Sequence, residues 1–403
     1  MNVDLIYMDA GGGHRASAQA LQASLAQQHP EWTVRLSNLF GLLDPQGQFR
    51  KYTGMRPEDY YNKRLAKGWT LGLAQELKLL QFSIGVLRDW LLTTLESHWR
   101  RAQPDLVVSL IPNFNRVLFE SLKQALPAVP YVTVMTDLAD YPPNFWIEPN
   151  QQQYFVCGTA KAVEQVVATG HPPERVYRTS GMILHPNFYR ANPPDRAAER
   201  LKLNLDPNRP TGLVIFGGHG SSKMRRIARC LSDTQLILVC GRNHGLAAKL
   251  RKMPSSAPRL VVEFTTEVPY YMSLADFFIG KPGPGSISEA VAMRLPVIVE
   301  SNAWTMPQEL YNALWIVEQK VGIVIRSLRH IDTAVQQIIC DLPQYRKRLT
   351  TIENRAVFEI PLILQQITER RARAEAGHIT ARELCHWPAY RPRATDSGAP
   401  ILN

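Results

Sequence analysis

The run Lys281-Pro282-Gly283-Pro284-Gly285-Ser286-Ile287-Ser288-Glu289 follows an apolar stretch ending at Gly280 and leads into a helix-like stretch near Ser286. A Gly-Pro-Gly turn of this kind lets backbone N–H groups and a helix N-terminus approach a phosphate closely. Glu289 falls one turn into the helix, where a carboxylate accepts hydrogen bonds from a ribose diol. These are means of holding a nucleotide-sugar. Taken alone, the segment is also a plain strand, turn and helix, with Glu289 a favourable charge in the first turn.

A second segment of similar design stands near the start. Val3-Asp4-Leu5-Ile6-Tyr7-Met8 reads as a strand, and Asp9-Ala10-Gly11-Gly12-Gly13-His14 leads to a helical stretch over 16–27. Gly11, Gly12 and Gly13 leave room for an acceptor hydroxyl, and His14 is a candidate general base or orienting group. A lone histidine after glycines also serves as a helix cap or core residue. Asp137, at the end of a strand over 132–135, is the competing base, and its alternative is an N-cap or turn residue. The carboxyl edge of a strand is where sites in open sheets form. A third loop, Phe216-Gly217-Gly218-His219-Gly220-Ser221-Ser222, ends a strand and opens a basic stretch. Its N–H groups, hydroxyls and neighbouring cations suit a diphosphate. Its alternative is a tight glycine turn beside surface arginines.

These loops need a scaffold of alternating strands and helices. In the first half, strands over 3–8, 33–36, 106–111, 131–135 and 154–157 alternate with helices over 16–27, 117–124 and 160–168. In the second half, strands over 212–216, 235–240, 259–263, 277–279, 296–299 and 322–325 continue the pattern. Such alternation builds parallel doubly wound sheets, here two Rossmann-like α/β domains. The expected division is a first domain over 1–185, a linker over 186–195 carrying Asn192-Pro193-Pro194-Asp195, and a second domain over 196–342. Helices over 343–376 and an irregular tail over 377–403 complete the chain. Ile360, Ile363, Leu364 and Ile367 recur at helical spacing, and Pro361 is expected to start or kink that helix.

A length of 403 residues with 45% hydrophobic content suits two soluble domains. The five cysteines, Cys157, Cys230, Cys240, Cys340 and Cys385, form no CxxC pair, which points to reduced thiols in the cytoplasm. No signal peptide is read at the start. The longest apolar stretch, 79–95, is broken by Arg88 and Asp89, which excludes a spanning helix.

The formal charge is +11, and its distribution is uneven. Residues 223–252 carry a net +7. Residues 50–101 carry +5 among Tyr52, Tyr60, Tyr61, Trp69, Trp90 and Trp99. Basic charge beside aromatic residues suits an anionic membrane surface, and solvated helix faces are the other reading. No RNP, helix-turn-helix or zinc-finger pattern occurs, so nucleic acid is not an expected partner.

In their order along the chain, several pieces together resemble one family. They are Gly11-Gly12-Gly13-His14 with Ala18, Val134-Met135-Thr136-Asp137-Leu138, Gly181-Met182-Ile183 before Pro186-Asn187-Phe188, Cys240-Gly241-Arg242-Asn243, the 281–289 run, and Pro307-Gln308-Glu309 with Asn312. The pattern resembles the GT-B glycosyltransferases of the monogalactosyldiacylglycerol synthase and processive diacylglycerol glucosyltransferase group. More distantly it is similar to the peptidoglycan N-acetylglucosaminyltransferase. The resemblance implies two Rossmann-like domains facing a central cleft.

It also implies donor contacts by Gly217, Gly218, His219, Gly220, Ser221, Gly283, Pro284, Gly285 and Ser286 to the diphosphate, and by Glu289 to the ribose. Arg242, Phe264 and Thr265 fall where the family meets the nucleotide and uracil. Gln308 and Glu309 match the pair that grips the donor sugar. The preceding Trp304-Thr305-Met306-Pro307 departs from the usual Gly-containing turn, which leaves galactose, glucose and N-acetylglucosamine open as donors.

On the acceptor side stand Gly11, Gly12, Gly13, Tyr141 and Trp146. Tyr141 occupies the place of the family's histidine in a His-Pro-x-Trp element, which implies a remodelled pocket. The chain has no Asp-x-Asp motif, so metal-independent transfer is expected, with no cofactor beyond the UDP-sugar co-substrate. The expected activity is inverting hexosyl transfer to a lipid or lipid-linked hydroxyl by a peripheral protein at the cytoplasmic membrane face. The alternatives are a non-hydrolysing UDP-N-acetylglucosamine 2-epimerase and a catalytically silent membrane-bound protein. Acceptor identity, processivity and oligomeric state stay open.

Overall fold

Apolar runs such as LVVS, YVTV and QLILV, buried along their whole length, become strands covered by helices on both faces. The computed structural model describes residues 1–9, 12–47, 51, 54, 58–59, 73–189 and 194–375. The first sheet contains β1 (Asn2–Tyr7), β2 (Thr33–Asn38), β3 (Leu106–Ser109), β4 (Tyr131–Val134), β5 (Tyr154–Cys157) and β6 (Val176–Arg178) in the order β2-β1-β3-β4-β5-β6. The second contains β7 (Thr211–Ile215), β8 (Gln235–Val239), β9 (Arg259–Val262), β10 (Phe277–Gly280), β11 (Val297–Glu300) and β12 (Gly322–Ile325) in the order β12-β11-β10-β7-β8-β9. Every pairing in both sheets is parallel. This is the two-domain GT-B architecture.

Several expectations are corrected. The first helix begins at Gly13 rather than 16, so His14 lies in its first turn. The short strand β6 at the sheet edge was not anticipated. Pro361 neither starts its helix nor ends it, but sits inside Ala356–Glu375. A proline there cannot donate to the carbonyl of Val357 one turn earlier. That buried carbonyl instead accepts the Ser24 hydroxyl of the first helix at 2.7 Å. Val357, Ile360, Leu364 and Ile367 are buried in one cluster with Leu21, Leu25 and Leu106. The last helix therefore packs on the first sheet's domain, after the second sheet is complete.

The domains also meet at a cluster of Leu138, Ala139 and Met182 with Tyr311. The helices Leu73–Val86 and Arg88–Ala102 lie beside the first sheet. Trp99 is fully buried there, whereas Trp90 is exposed. Arg50, Tyr52, Tyr60, Tyr61, Trp69, Gly11, Asn192, Pro193, Cys385 and the tail over 377–403 lie outside the described residues. Among the described residues no helix is long and apolar enough to cross a membrane.

Candidate functional site

Each sheet reverses its winding once, and loops leaving neighbouring strands at such a point splay apart to form a crevice. In the first sheet the point lies between β1 and β3, and in the second between β7 and β10. The loops concerned carry Gly12 to His14 and Leu110 in one domain, and Phe216 to Ser222 and Lys281 to Gly285 in the other.

Gly12 adopts φ +81°, a left-handed conformation that turns the chain from the β1 loop into the helix Gly13–Gln28. The turn places His14 Nδ1 2.8 Å from the Leu110 carbonyl oxygen and 3.0 Å from Thr136 Oγ1. A carbonyl only accepts, so Nδ1 carries the proton and Nε2 keeps its lone pair. Burial lowers the His14 pKa to about 4, against the opposing effect of the Leu110 bond. The imidazole is neutral at pH 7.

Asp137 follows β4 and is 7% exposed. Burial raises its pKa to about 7, and the charge of Glu309 in the other domain adds to the rise. The Trp146 indole N–H, donating to Asp137 Oδ2 at 2.9 Å, opposes it, as does the charge of Lys281. Asp140 shapes the loop by accepting from the Trp146 N–H at 2.6 Å and the Asn144 N–H at 3.0 Å. Trp146, expected on the acceptor side, points inward. It is 0% exposed, because its ring fills the core beneath the site while its N–H fixes Asp137. Its ring centroid lies 5.9 Å from that of His14. Tyr141 stacks on Tyr311 of the second domain at 5.8 Å with 4° between the planes.

In the second domain Pro284 opens the helix Pro284–Ala292 two residues ahead of expectation, and no side chain caps its first N–H groups. A side chain at Gly285 would meet nothing within 4 Å, so the backbone there is open. Burial raises the pKa of Glu289 to about 7. Its carboxyl has no hydrogen-bond partner among the described residues. Lys281 Nζ donates to Glu309 Oε1 at 2.6 Å, and Glu309 is buried. Asn312 donates to the Pro282 carbonyl at 2.9 Å, which ties the helix after Glu309 to this loop. Gln308 reaches only the Met306 sulfur, at 3.7 Å.

The loop after β7 is braced from behind. Gly241, at φ +59°, packs so closely that a Cβ would lie 2.2 Å from the Gly218 carbonyl oxygen. The Arg242 N–H donates to that oxygen at 2.9 Å. Gly218 and His219 are exposed, Gly217 and Ser221 partly so, and Gly220 is buried. The first N–H groups of the helix Lys223–Cys230 that follows are taken by the loop itself: Lys223 donates to Ser221 Oγ at 3.3 Å, Met224 to the Ser221 carbonyl at 3.0 Å and Arg225 to the Ser222 carbonyl at 3.2 Å. The Arg242 guanidinium lies 4.6 Å over the exposed Phe264 ring, a cation–π contact. The Thr265 hydroxyl accepts from the Glu267 N–H at 2.9 Å. Among the described residues no cluster of three His, Cys, Asp or Glu side chains could hold a metal.

Four participants carried no assigned role in the sequence. Leu110 acts through its carbonyl, which no side-chain pattern reveals. Thr136 and Lys281 lay inside quoted motifs but are defined by distant partners. Tyr311 faces Tyr141 across 170 positions of chain.

Residues 14–182 match the family model described as monogalactosyldiacylglycerol (MGDG) synthase, and residues 213–367 match that of the glycosyltransferase family 28 C-terminal domain. The chain is 26% identical to monogalactosyldiacylglycerol synthase, chloroplastic, of Spinacia oleracea, covering 83% of this chain and 65% of that protein. It is 27% identical to monogalactosyldiacylglycerol synthase 1, chloroplastic, of Arabidopsis thaliana, covering 82% and 63%. The chain thus spans about two-thirds of the length of these relatives. Among solved structures, Acinetobacter baumannii MurG aligns with a TM-score of 0.57 at 12% identity, over 91% of this chain and 99% of that one. UDP-GlcNAc 2-epimerase from Neisseria meningitidis, bound to UDP-GlcNAc, aligns with a TM-score of 0.56 at 14% identity, over 92% and 100%. At these identities the likeness is one of fold.

Proposed function

The chain belongs to the monogalactosyldiacylglycerol synthase and processive diacylglycerol glucosyltransferase group of GT-B glycosyltransferases, and from that premise we propose an inverting, metal-independent hexosyltransferase. The donor is a UDP-sugar and the acceptor a lipid or lipid-linked hydroxyl. One observation carries the reading: Tyr141, in the loop that follows Asp137, stacks at 5.8 Å on Tyr311 of the second domain, two residues after Glu309, so these two loops stand against each other. Proton-accepting groups and donor-binding groups face each other across one cleft.

In the proposed reaction the acceptor O–H gives its proton to a first-domain base as its oxygen attacks the anomeric carbon. The new C–O bond forms opposite the bond to the diphosphate, which breaks, and UDP leaves with the electron pair. Two groups can take the proton. His14 presents a neutral Nε2, whereas Asp137, with a pKa of about 7, is better matched in basicity to work near neutral pH. The uncapped helix start after Gly283 and the exposed Gly218-His219 turn, with the cations of the 223–252 stretch, stabilise the departing diphosphate. Glu289, lacking a hydrogen-bond partner among the described residues, accepts from the ribose hydroxyls. Gln308 and Glu309 orient the sugar, and Arg242 with Phe264 borders the base.

A bilayer supplies the acceptor. Leu79, Phe82, Val86, Leu87 and Trp90 are each at least half exposed within twelve residues, an apolar density unusual for a water-facing surface. Gln81, within this stretch, donates to Asn113 Oδ1 at 3.1 Å in the loop after β3, which places the apolar face beside the catalytic loops. The relatives' names make galactose the first donor to test and diacylglycerol the first acceptor.

The test is to incubate the full chain with labelled UDP-galactose, diacylglycerol vesicles and EDTA. The reading predicts label in the organic phase, a β-linked product and one UDP released per sugar. Conversion of UDP-N-acetylglucosamine to its 2-epimer without stoichiometric UDP would replace it with the epimerase.

A further inference from the structure

The second domain carries an apolar strip that its own core does not use. The helix Leu310–Glu318 runs between the Gln308-Glu309 turn and β12. On its inner side Asn312, Ala313 and Ile316 are buried, and Ala313 and Ile316 pack in the core of the second domain. On its outer side Leu310, Leu314 and Val317 are 44%, 56% and 57% exposed. At about 3.6 residues per turn these three fall within roughly 60° of one another, a continuous strip rather than scattered surface leucines. Exposed Lys320 follows the helix, and exposed Arg348 donates from Nε to the Gln319 carbonyl at 3.1 Å, so cations border one end of the strip. Glu318, the acid of this helix, accepts from the Tyr311 hydroxyl at 3.2 Å.

The contacts around the strip select what covers it. Leu310 is followed by Tyr311, which stacks on Tyr141 of the loop between β4 and β5. The same loop contributes Phe145 and Trp146 to a cluster against which Leu77 packs. Leu77 belongs to the helix Leu73–Val86, whose next turns carry exposed Leu79, Phe82 and Val86. One loop therefore joins two apolar surfaces, one from each domain. A bilayer containing anionic lipid suits the strip and its border, because hydrocarbon accepts the leucine and valine side chains and headgroup phosphates attract the cations.

We propose that Leu310, Leu314 and Val317 seat the second domain on the same bilayer that meets the 79–90 face of the first. The inference rests on the reading of that face as membrane-bound. With both domains on the lipid, the bilayer holds both walls of the cleft and limits how far they separate. Leu310 directly follows Glu309, so an acceptor hydroxyl rising from the lipid surface enters beside the sugar-orienting pair.

The experiment is flotation of the full chain with phosphatidylcholine vesicles containing phosphatidylglycerol, comparing the parent with Leu314→Gln/Val317→Gln and with Phe82→Gln/Val86→Gln. Thermal unfolding and UDP affinity, expected to match the parent in both variants, check that they are folded. Leu314→Gln/Val317→Gln should lower the partition coefficient about tenfold. A nitrobenzoxadiazole dye on Val317→Cys, in a Cys230→Ser/Cys340→Ser/Cys385→Ser background, should shift its emission to the blue when vesicles are added. Parent-like partitioning by Leu314→Gln/Val317→Gln with an unshifted dye, while Phe82→Gln/Val86→Gln is released, would overturn the proposal and leave the first-domain reading standing. A parent chain that does not float would overturn both. A parent dimer in sedimentation that Leu314→Gln/Val317→Gln dissociates, with vesicle binding unchanged, would assign the strip to a second copy of the chain and overturn the proposal.

Discussion

The two Rossmann-like domains run six parallel strands through one kind of reversal, yet their reversal loops present opposite chemistry. The first domain buries titratable side chains at its crevice: His14 with a pKa of about 4, Asp137 about 7 and Asp140 about 6. The second offers mainly backbone, with glycines and an uncapped helix start beside a stretch of net charge +7. A proton acceptor needs a side chain whose affinity burial can tune, whereas a diphosphate needs many short-range N–H donors and nearby positive charge. In the proposed reaction the same scaffold therefore supplies proton transfer on one side and leaving-group stabilisation on the other. The exceptions in the second domain are the Lys281–Glu309 pair and Glu289, a half-buried carboxyl at about pKa 7.

The sharpest way to break this comparison is to remove the first domain's proton acceptors. His14→Ala and Asp137→Asn are each expected to lower the turnover of lipid glycosylation, and the variant that removes the base should lose about 10²–10⁴-fold. Steady-state assays with labelled donor measure it. A smaller effect follows from the bracing of the second domain's loop. In Gly241→Ala the new Cβ collides with the Gly218 carbonyl at a left-handed φ, so the cost is about 1–3 kcal/mol and UDP affinity falls with it. Thermal unfolding and UDP titration report the two effects separately.

Next comes the fastening between the last helix and the first domain. Ser24→Ala leaves the buried Val357 carbonyl without a donor, at a cost of about 1–3 kcal/mol. In the Pro361→Ala background the restored backbone N–H takes that carbonyl, so a double-mutant cycle by urea unfolding should show a much smaller cost for Ser24→Ala. The smallest effect concerns pH. If Asp137 is the base, kcat/KM falls as pH drops below about 7, because its carboxylate takes up a proton. Trp146→Phe removes the N–H that favours the carboxylate and should move this limb upward in pH. A limb unmoved by the substitution points to Glu289, which titrates in the same range.

The strand framework was legible because both faces of a parallel sheet are buried at its centre, which writes inner strands such as LVVS, YVTV and QLILV as near-continuous apolar runs. The strand over 154–157 and the helix over 160–168 have the bounds that the sequence predicts. Pairings between distant residues were not legible. The Ser24 to Val357 bond exists because Pro361 lies within a helix, where sequence rules place proline at the start. The family resemblance puts Trp146 on the acceptor side, and nothing in the sequence shows that its indole fills the core under Asp137. The start of the first helix was missed because three consecutive glycines suggest a loop, whereas Gly12 adopts a left-handed φ and Gly13 is already helical. At the candidate site, residue types and order were readable and the cross-cleft relations were not.

The division of labour is tested most directly by measuring UDP affinity and lipid-glycosylation turnover in parallel for Asp137→Asn, His14→Ala and Glu289→Ala. The account predicts near-parental UDP affinity with lowered turnover for the first two, and weakened UDP binding for the third. Loss of UDP binding in the first-domain variants, or unchanged affinity in Glu289→Ala, would contradict it.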